Sequence, residues 1–182
     1  AIIESIFAAF GDSAPQFARA DGGGGRAMTL AHVIDRKTLI QYELFAGGVG
    51  AMQGYDGETG CHCNQTNGKV TSIEILETEF PIRAEEFKVL TNSGGEGKFR
   101  GGCGFVRTYR ILDGVTSVTL RSSKHGIHPL GVNGGGDAWG GFCEVEVSGT
   151  TTRLASMQSG VMLKPGDRLS LGTPGGGGYG SG

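Results

Sequence analysis

Two glycine-rich segments in the second half of the chain constrain its fold more than any other feature. The first reads SGGEGKFRGGCG over residues 93–104, and the second reads TPGGGGYG over residues 173–180. Glycine makes up 36 of the 182 residues, against a usual share of about 7%. Because glycine lacks a Cβ atom, it lets two backbones approach closely. The segments have no tripeptide period, which excludes collagen, and each contains an aromatic residue, which is unusual in flexible linkers. We therefore expect ordered loops between short strands.

Composition and charge exclude several classes of function. The formal net charge is −2, which provides no electrostatic basis for binding nucleic acid or an anionic membrane. The sequence has no apolar run long enough to cross a bilayer, and its first residues lack the basic region of a signal peptide. These features predict a cytoplasmic protein. The chain starts at Ala1 rather than at methionine, so we expect a fragment or a processed piece of a longer protein.

Two short helices are predicted from spacing and end signals. Apolar residues at helical intervals favour an N-terminal helix over residues 1–10 that ends at Gly11. The sequence TSIE at residues 71–74 has the spacing of a capping box and predicts a second helix over residues 72–79, which Pro81 ends. A strand remains an alternative here, because residues 73–75 also alternate between apolar and polar.

The remainder of the chain is predicted to be strands and glycine-rich turns. Residues 21–25 form a glycine-rich loop, and alternation over residues 39–45 indicates a strand that the glycines at 47–50 interrupt. The fold class that follows is α+β, β-rich, in a single unit over residues 1–182. Further strand-like runs bounded by turn residues lie at residues 105–111, 115–121, 142–147 and 161–171.

The cysteines and histidines form no recognisable metal or nucleophile motif. Cys61 and Cys63 flank His62, which invites a zinc site, but no second pair of ligands follows at the usual spacing. Reduced, buried thiols are the alternative. His125 and His128 could reach one site from a shared loop, or they could be surface or capping residues. The GGEGK sequence at residues 94–98 lacks the spacing of a phosphate-binding loop, so we expect no nucleotide on this chain.

A polar, glycine-rich cluster over residues 54–68 is the strongest candidate for a site. It follows a strand and carries the side chains of Asp56, His62, Asn64 and Asn67. Amides and an imidazole that converge on one pocket suit the recognition of carbonyl or amide groups. The same residue types are also common in ordinary turns, so a structural role is the alternative.

Taken in order, these motifs resemble the C-terminal portion of the hydantoinase B/5-oxoprolinase family, of which N-methylhydantoinase B-like subunits are members. The resemblance spans nearly the whole chain, and it identifies Ser93, Gly94, Gly95, Arg100, Gly101 and Gly102 as a structural glycine signature. The sequence departs from the family pattern at residues 70–72, where Asn-Thr-Pro is common, and at Asn92, where Asp is common. The matched motifs are GGVGA at 47–51, Asp56-Gly57, His62, Thr66-Asn67, EILE at 74–77, FPIR at 80–83, SGGEGKFRGGCG at 93–104, the Pro-x-Gly pattern at 129–131, Gly166-Asp167 and TPGGGGYG at 173–180.

The resemblance implies an ATP-dependent hydrolase of cyclic amides such as hydantoins, oxoproline or lactams. A hydantoinase A-like subunit would bind ATP and phosphorylate the amide oxygen, and a divalent metal in the N-terminal part of the B-type subunit would help to activate water. The chain itself would bind no cofactor and no metal, and on its own it would be inactive. Its catalytic residues stay unassigned, and Asp56, His62, Asn64 and Asn67 are the expected substrate-binding residues.

Two alternatives to the hydrolase remain open at this stage. The first is a subunit of a related ATP-dependent ketone carboxylase, of the acetone or acetophenone carboxylase type. The second is a non-catalytic scaffold that shapes a pocket or a subunit interface. All three place the chain in a hetero-oligomer with its own N-terminal part, an A-like partner and a small-molecule substrate.

Overall fold

A computed structural model describes residues 2–10, 13–62 and 68–182, and most of the regular structure in these residues is strand. A single turn of 3-10 helix at Pro15–Phe17 follows the first helix. In chain order, the helices and strands are α1 (Ile2–Ala9), β1 (Arg26–Ile34), β2 (Lys37–Leu44), α2 (Ile73–Glu79), β3 (Ile82–Val89), β4 (Phe105–Ile111), β5 (Val115–Ser122), β6 (Phe142–Val147), β7 (Thr150–Arg153), β8 (Met157–Leu163) and β9 (Arg168–Gly172).

The strands form two antiparallel sheets that pack face to face. The first sheet has the order β2-β1-β5-β8, and the second has the order β3-β4-β9-β6-β7. Side chains from both sheets and from α2 fill one core, in which Leu30, Leu76 and Ile111 are buried. Alternating apolar residues produce this arrangement, because successive side chains of a strand point to opposite faces. The predicted class, α+β and β-rich, is confirmed.

Most predicted elements are present with small changes in their ends. The strands predicted at residues 105–111 and 142–147 coincide with β4 and β6, and the runs at 39–45 and 115–121 correspond to β2 and β5. The N-terminal helix is present as α1, while Gly11, its predicted end, lies outside the described residues.

The single strand predicted over residues 161–171 is wrong. The segment contains the end of β8 and most of β9, which belong to different sheets. The chain turns between them at Pro165 and Gly166, where proline offers no N–H to a ladder and glycine adopts a φ of 96°. The Asp167 carboxylate accepts a hydrogen bond from the Lys164 N–H at 2.8 Å and closes the turn.

Helix α2 confirms the helical alternative for residues 72–79, but its predicted capping box does not form. The N-cap residue is Ser72 rather than Thr71, which the capping box requires, and the Ser72 side chain makes no hydrogen bond to the helix backbone. The Ser72 hydroxyl instead donates to the Glu74 carboxylate, and this bond lowers the pKa of Glu74. Burial of Leu76, rather than an end cap, therefore holds this short helix in place.

The glycine-rich segments pack against one another beside the sheets. We call this part the glycine bundle and define it as residues 47–51, 93–104, 131–136 and 173–180. Three successive residues of its central segment bond to different neighbours. Gly176 N donates to Gly102 O at 2.8 Å, Gly177 N to Asp21 O at 2.8 Å and Gly178 N to Gly136 O at 2.9 Å. A strand bonds only on two opposite sides, whereas an extended helix with three residues per turn directs its peptide groups to several sides. The predicted glycine loops are therefore ordered by direct contact between backbones.

Buried polar side chains join the two sheets across the core. Glu43 of the first sheet accepts hydrogen bonds from Arg107 Nη1 at 2.8 Å and from the Tyr109 hydroxyl at 2.8 Å, and all three side chains are buried. Phe87 stacks on the guanidinium of Arg107, with 4.6 Å between the ring centroid and Cζ. Breaking this ion pair from one side would leave an uncompensated buried charge.

Candidate functional site

The polar cluster over residues 54–68, which we call the site loop, is attached to the glycine bundle by backbone contacts of its described residues. Gly57 N donates to Arg100 O at 2.7 Å, and Val49 N donates to Glu58 O at 2.9 Å. Two side chains complete the attachment, since Asp56 Oδ1 accepts from Arg100 N at 2.8 Å and Thr59 Oγ1 accepts from Cys103 N at 3.0 Å. The loop is therefore positioned by the same glycine-rich signature that the sequence singles out.

The structure places two of the four predicted substrate-binding residues. Asp56 is exposed, and one of its carboxylate oxygens is used in holding Arg100. His62 is half-buried, and its imidazole lies next to Gly68, where an added Cβ would be 3.3 Å from Nε2. Burial lowers the pKa of His62, so the ring is neutral at pH 7 and can both donate and accept. Asn64 and Asn67 lie outside the described residues.

The signature residues have structural roles at the centre of the bundle. Ser93 is fully buried, where its hydroxyl donates to Leu90 O at 2.6 Å and accepts from Gly104 N at 2.9 Å. Gly101 N donates to Gly95 O at 2.9 Å, which closes the loop on itself. The Arg100 side chain is exposed, so in this signature its backbone, not its guanidinium, makes the contact with the site loop.

The thiols near this loop differ in their acidity. The Cys61 thiol donates to Glu58 Oε2 at 3.1 Å, and this hydrogen bond raises the pKa of Cys61. At Cys103 burial acts to raise the pKa, but hydrogen bonds from the backbone N–H groups of Gly94, Ser93 and Asn92, together with one from the Ser93 side chain, lower it overall. Sequence reasoning missed this effect, because it depends on how the signature loop folds back on Cys103.

The zinc hypothesis for Cys61, His62 and Cys63 finds no complete site in the described residues. These residues contain no group of three or more His, Cys, Asp or Glu side chains that could hold a metal. Cys63 lies outside the described residues.

The two histidines of the 124–129 loop bond to separate backbone carbonyls. His125 Nε2 lies 2.7 Å from Leu154 O, and His128 Nδ1 lies 2.7 Å from Ala138 O. Burial lowers the pKa of His125. These bonds favour a capping role for His125 and His128 over a shared functional site.

A cleft of about 930 Å³ lies away from the predicted loop, beside α1 and the outer side of β1 and β2. Its polar wall includes Arg121 and the ion pair between Lys124 and Asp21. Its apolar wall includes Tyr42 and Leu44. Sequence reasoning missed this cleft, since its walls come from segments that are distant in the chain.

The protein thus has two packed sheets, and its candidate site loop is attached to a bundle of glycine-rich segments. Two solved structures share this fold. An ATP-dependent caprolactamase from Pseudomonas jessenii matches 95% of this chain with a TM-score of 0.79 and 24% identity, over 32% of its own chain. An acetone carboxylase matches 94% of this chain with a TM-score of 0.70 and 19% identity, over 28% of its own chain.

The chain belongs to the Hydantoinase B/oxoprolinase family, whose family model matches residues 1–182. A 5-oxoprolinase from Dictyostelium discoideum is 37% identical over 145 residues, which cover 79% of this chain. The match extends over only 11% of that relative, so the chain spans about a tenth of the length of the protein it resembles. No helix in the described parts of the chain has the length and apolar character needed to cross a membrane.

Proposed function

We propose that the chain is part of a B-type subunit of an ATP-dependent cyclic amide hydrolase, in which it shapes the substrate pocket. Family membership over residues 1–182 is the observation that carries the proposal. The similarity to a 5-oxoprolinase and the shared fold with a caprolactamase support it, because both names describe enzymes of cyclic amides.

Within this proposal, Asp56, His62, Asn64 and Asn67 bind the substrate, and the catalytic residues stay unassigned. The free carboxylate oxygen of Asp56 can accept a hydrogen bond from a ring N–H. A neutral His62 can donate to a ring carbonyl. The attachment of the loop to Arg100 and Cys103 supports this role, because a site needs its binding groups held by a rigid support.

Activation of the amide is assigned to other parts of the assembly. A hydantoinase A-like subunit binds ATP, which supplies the energy for opening a stable ring, and the N-terminal part of the B-type subunit holds the divalent metal. The 182 residues on their own are therefore expected to be inactive and to bind no ATP.

Specific observations also support the two alternatives, a ketone carboxylase subunit and a non-catalytic scaffold. The fold shared with acetone carboxylase supports a role in ATP-dependent ketone carboxylation. The structural roles of Ser93 and Asp56 support a non-catalytic scaffold. The hydrolase is preferred, because the 37% identical relative is a 5-oxoprolinase.

Replacement of Asn67 tests the binding role directly. In the full-length subunit with its A-like partner, Asn67→Ala should reduce ATP-dependent ring opening by about ten-fold or more, as the loss of a substrate hydrogen bond does. The melting temperature should stay unchanged. Gln53→Ala, which removes an exposed amide just before the site, is the matched control. Unchanged kinetics for Asn67→Ala would remove this loop from the binding site.

A further inference from the structure

The outward face of the first sheet is unusually apolar. Cross-strand neighbours share a face, so the register places Tyr42 beside Thr29 and Ile40 beside Ala31, with Ser117 on the far side of Ala31. Ile40 and Tyr42 are 57% and 59% exposed. Among the paired outward positions, all of which the structure describes, the single charged residue is Arg121. These positions are Ala27, Thr29, Ala31, Val33, Thr38, Ile40, Tyr42, Leu44, Val115, Ser117, Thr119, Arg121, Met157 and Met162.

The outward face of the second sheet has the composition expected of a surface in water. Its strands place Arg110, Arg168 and Glu146 side by side, and Glu85 bridges Arg110 at 2.5 Å and Arg168 at 2.7 Å. Arg168 also pairs with Glu146 at 3.2 Å. Antiparallel sheets with one solvated face normally show such polar outward residues. The contrast within one molecule indicates that the first sheet is covered in the complete protein.

The surface continues from this sheet to α1 across the cleft. Tyr42, Leu44 and Arg121 also line the cleft of about 930 Å³, and α1 contributes Glu4 and Ser5 to its lining. Helix α1 itself exposes Ile2 and Ile6. The sheet face, the cleft and the helix therefore form one continuous surface that a single covering segment can occupy. We call it the docking surface.

We infer that a segment of the same polypeptide, outside the 182 residues, packs on the docking surface. The sheet-face part of this surface measures about 19 by 27 Å, or roughly 500 Å², from ordinary strand spacing and rise. A covalently connected segment can pack there without the roughly 800 Å² per side that a specific interface between separate proteins needs, because its effective concentration is high.

Chain length supports this occupant. The chain corresponds to 32% of the caprolactamase chain and 28% of the acetone carboxylase chain, so proteins of this fold carry most of their polypeptide elsewhere. The inference rests on the proposed function only in taking the chain to be part of a longer subunit.

Arg121 specifies one feature of the covering segment. It has no ion-pair partner among the described residues, although it lies within an apolar face. Covering a guanidinium without a counter-charge is costly. The segment should therefore present apolar side chains and one carboxylate that reaches Arg121.

Photo-crosslinking in the full-length subunit identifies the occupant. We expect Tyr42→benzoylphenylalanine to form an adduct with a segment outside the 182 residues of the same polypeptide. Mixing ¹⁴N- and ¹⁵N-labelled subunits before irradiation shows whether an adduct joins one chain or two. An adduct between two chains, an adduct confined to the 182 residues, or no adduct would each overturn the inference. Glu144→benzoylphenylalanine, on the outward face of the second sheet, is the control for non-specific adducts.

Thiol labelling provides a second test that does not depend on activity. In the full-length subunit, Ile40→Cys should react with maleimide at least about ten-fold more slowly than Glu144→Cys, because a covered site reacts only after local opening. Equal rates would contradict a covered sheet. If lactams are still opened while Ile40→Cys labels freely, this inference fails and the proposed function stands. If Ile40→Cys is protected but no amide is opened, the proposed function fails and the docking surface stands.

Discussion

Gly176 lies where three backbone segments meet, and its missing side chain is the reason that they can meet. Its N–H donates to Gly102 O, and its carbonyl accepts from Gly95 N, both at 2.8 Å. A Cβ at this position would overlap the carbonyl of Val49. The packing partner is backbone, which cannot rotate away as a side chain can.

Gly176→Ala should therefore destabilise the protein by about 3 kcal/mol or more, as severe overpacking does. Urea denaturation followed by far-UV circular dichroism measures the change. Gly25→Ala is the matched control, since an added Cβ there meets nothing within 4 Å, and its midpoint should barely change. A stable Gly176→Ala protein would contradict the close packing of the glycine bundle.

Arg107 and Arg110 stand on the same strand but in opposite environments. Arg107 pairs with Glu43 inside the core, whereas Arg110 pairs with Glu85 at the partly exposed outer face. Arg107→Met should cost about 3–5 kcal/mol, because it leaves the Glu43 carboxylate buried without its counter-charge. Arg110→Met should cost about 0–1 kcal/mol. Similar midpoints for the two variants in chemical denaturation would show that the buried pair is not formed.

His32 makes the stability of the fold depend on pH. It is fully buried, with Nδ1 2.9 Å from Thr116 Oγ1 and Nε2 3.1 Å from Gln41 Oε1. Gln41 donates its own amide N–H to Glu43, so its oxygen faces His32 and the proton of the neutral ring is on Nε2. Burial lowers the pKa of His32, against a smaller opposing effect of the Gln41 bond.

The unfolded chain thus binds a proton on this ring more readily than the folded protein does. The stabilisation is fully present above the unfolded pKa of about 6.5 and is lost as pH falls through the lower folded pKa, with a slope of at most about 1.4 kcal/mol per pH unit. Denaturation midpoints between pH 8 and pH 5 should follow this trend. His32→Gln should make the fall shallower, although His62 and His125 still contribute. An identical pH profile in the variant would exclude His32 as a source.

The loop that carries Asp56 is an element without regular secondary structure, so its order depends on a few named bonds. Asp56→Ala removes the acceptor for Arg100 N, and the Arg100 amide should then exchange its hydrogen about ten-fold faster or more. Asp56→Asn keeps an acceptor oxygen and should retain most of the protection. Hydrogen exchange with mass spectrometry reports both, and equal protection in the alanine variant would show that backbone contacts alone hold the loop.

Local sequence patterns predicted β4 and β6 closely but missed other strands. In β1, the buried residues Arg26 and His32 interrupt the apolar alternation that identifies a half-buried strand. In β3, a bulge between Ala84 and Glu86 shifts the alternation by one residue. β7 is too short to leave a signal of its own. In each case the strand forms because it pairs with other strands. Those strands lie elsewhere in the chain, so a local sequence pattern does not reveal the pairing.

For the candidate site, the sequence identified the loop and the glycine signature but not how they are connected. Asp56 and Arg100 are far apart in the chain, and nothing in either segment indicates that one holds the other. The contact between Glu43 and Arg107 was missed for the same reason. The prediction that the glycine segments are ordered rather than flexible is correct. Aromatic residues within these segments and strands on either side of them favour packing over flexibility.

At the level of the whole molecule, the chain is a β-rich, glycine-packed member of the Hydantoinase B/oxoprolinase family that spans about a tenth of the length of a similar 5-oxoprolinase. The proposed division gives this chain the pocket, the A-like partner the ATP, and the remainder of the subunit the metal. That division predicts that amide ring opening and ATP hydrolysis occur together and only in the complete assembly.

The direct test is to measure ADP and organic products in parallel for the full-length subunit with its A-like partner. The panel should contain 5-oxoproline, hydantoin, caprolactam, and acetone with bicarbonate. The account predicts that at least one cyclic amide yields its ring-opened acid together with ADP, and that omission of ATP abolishes the product. ADP formation and a carboxylated product with acetone and bicarbonate alone, with every cyclic amide left intact, would contradict it.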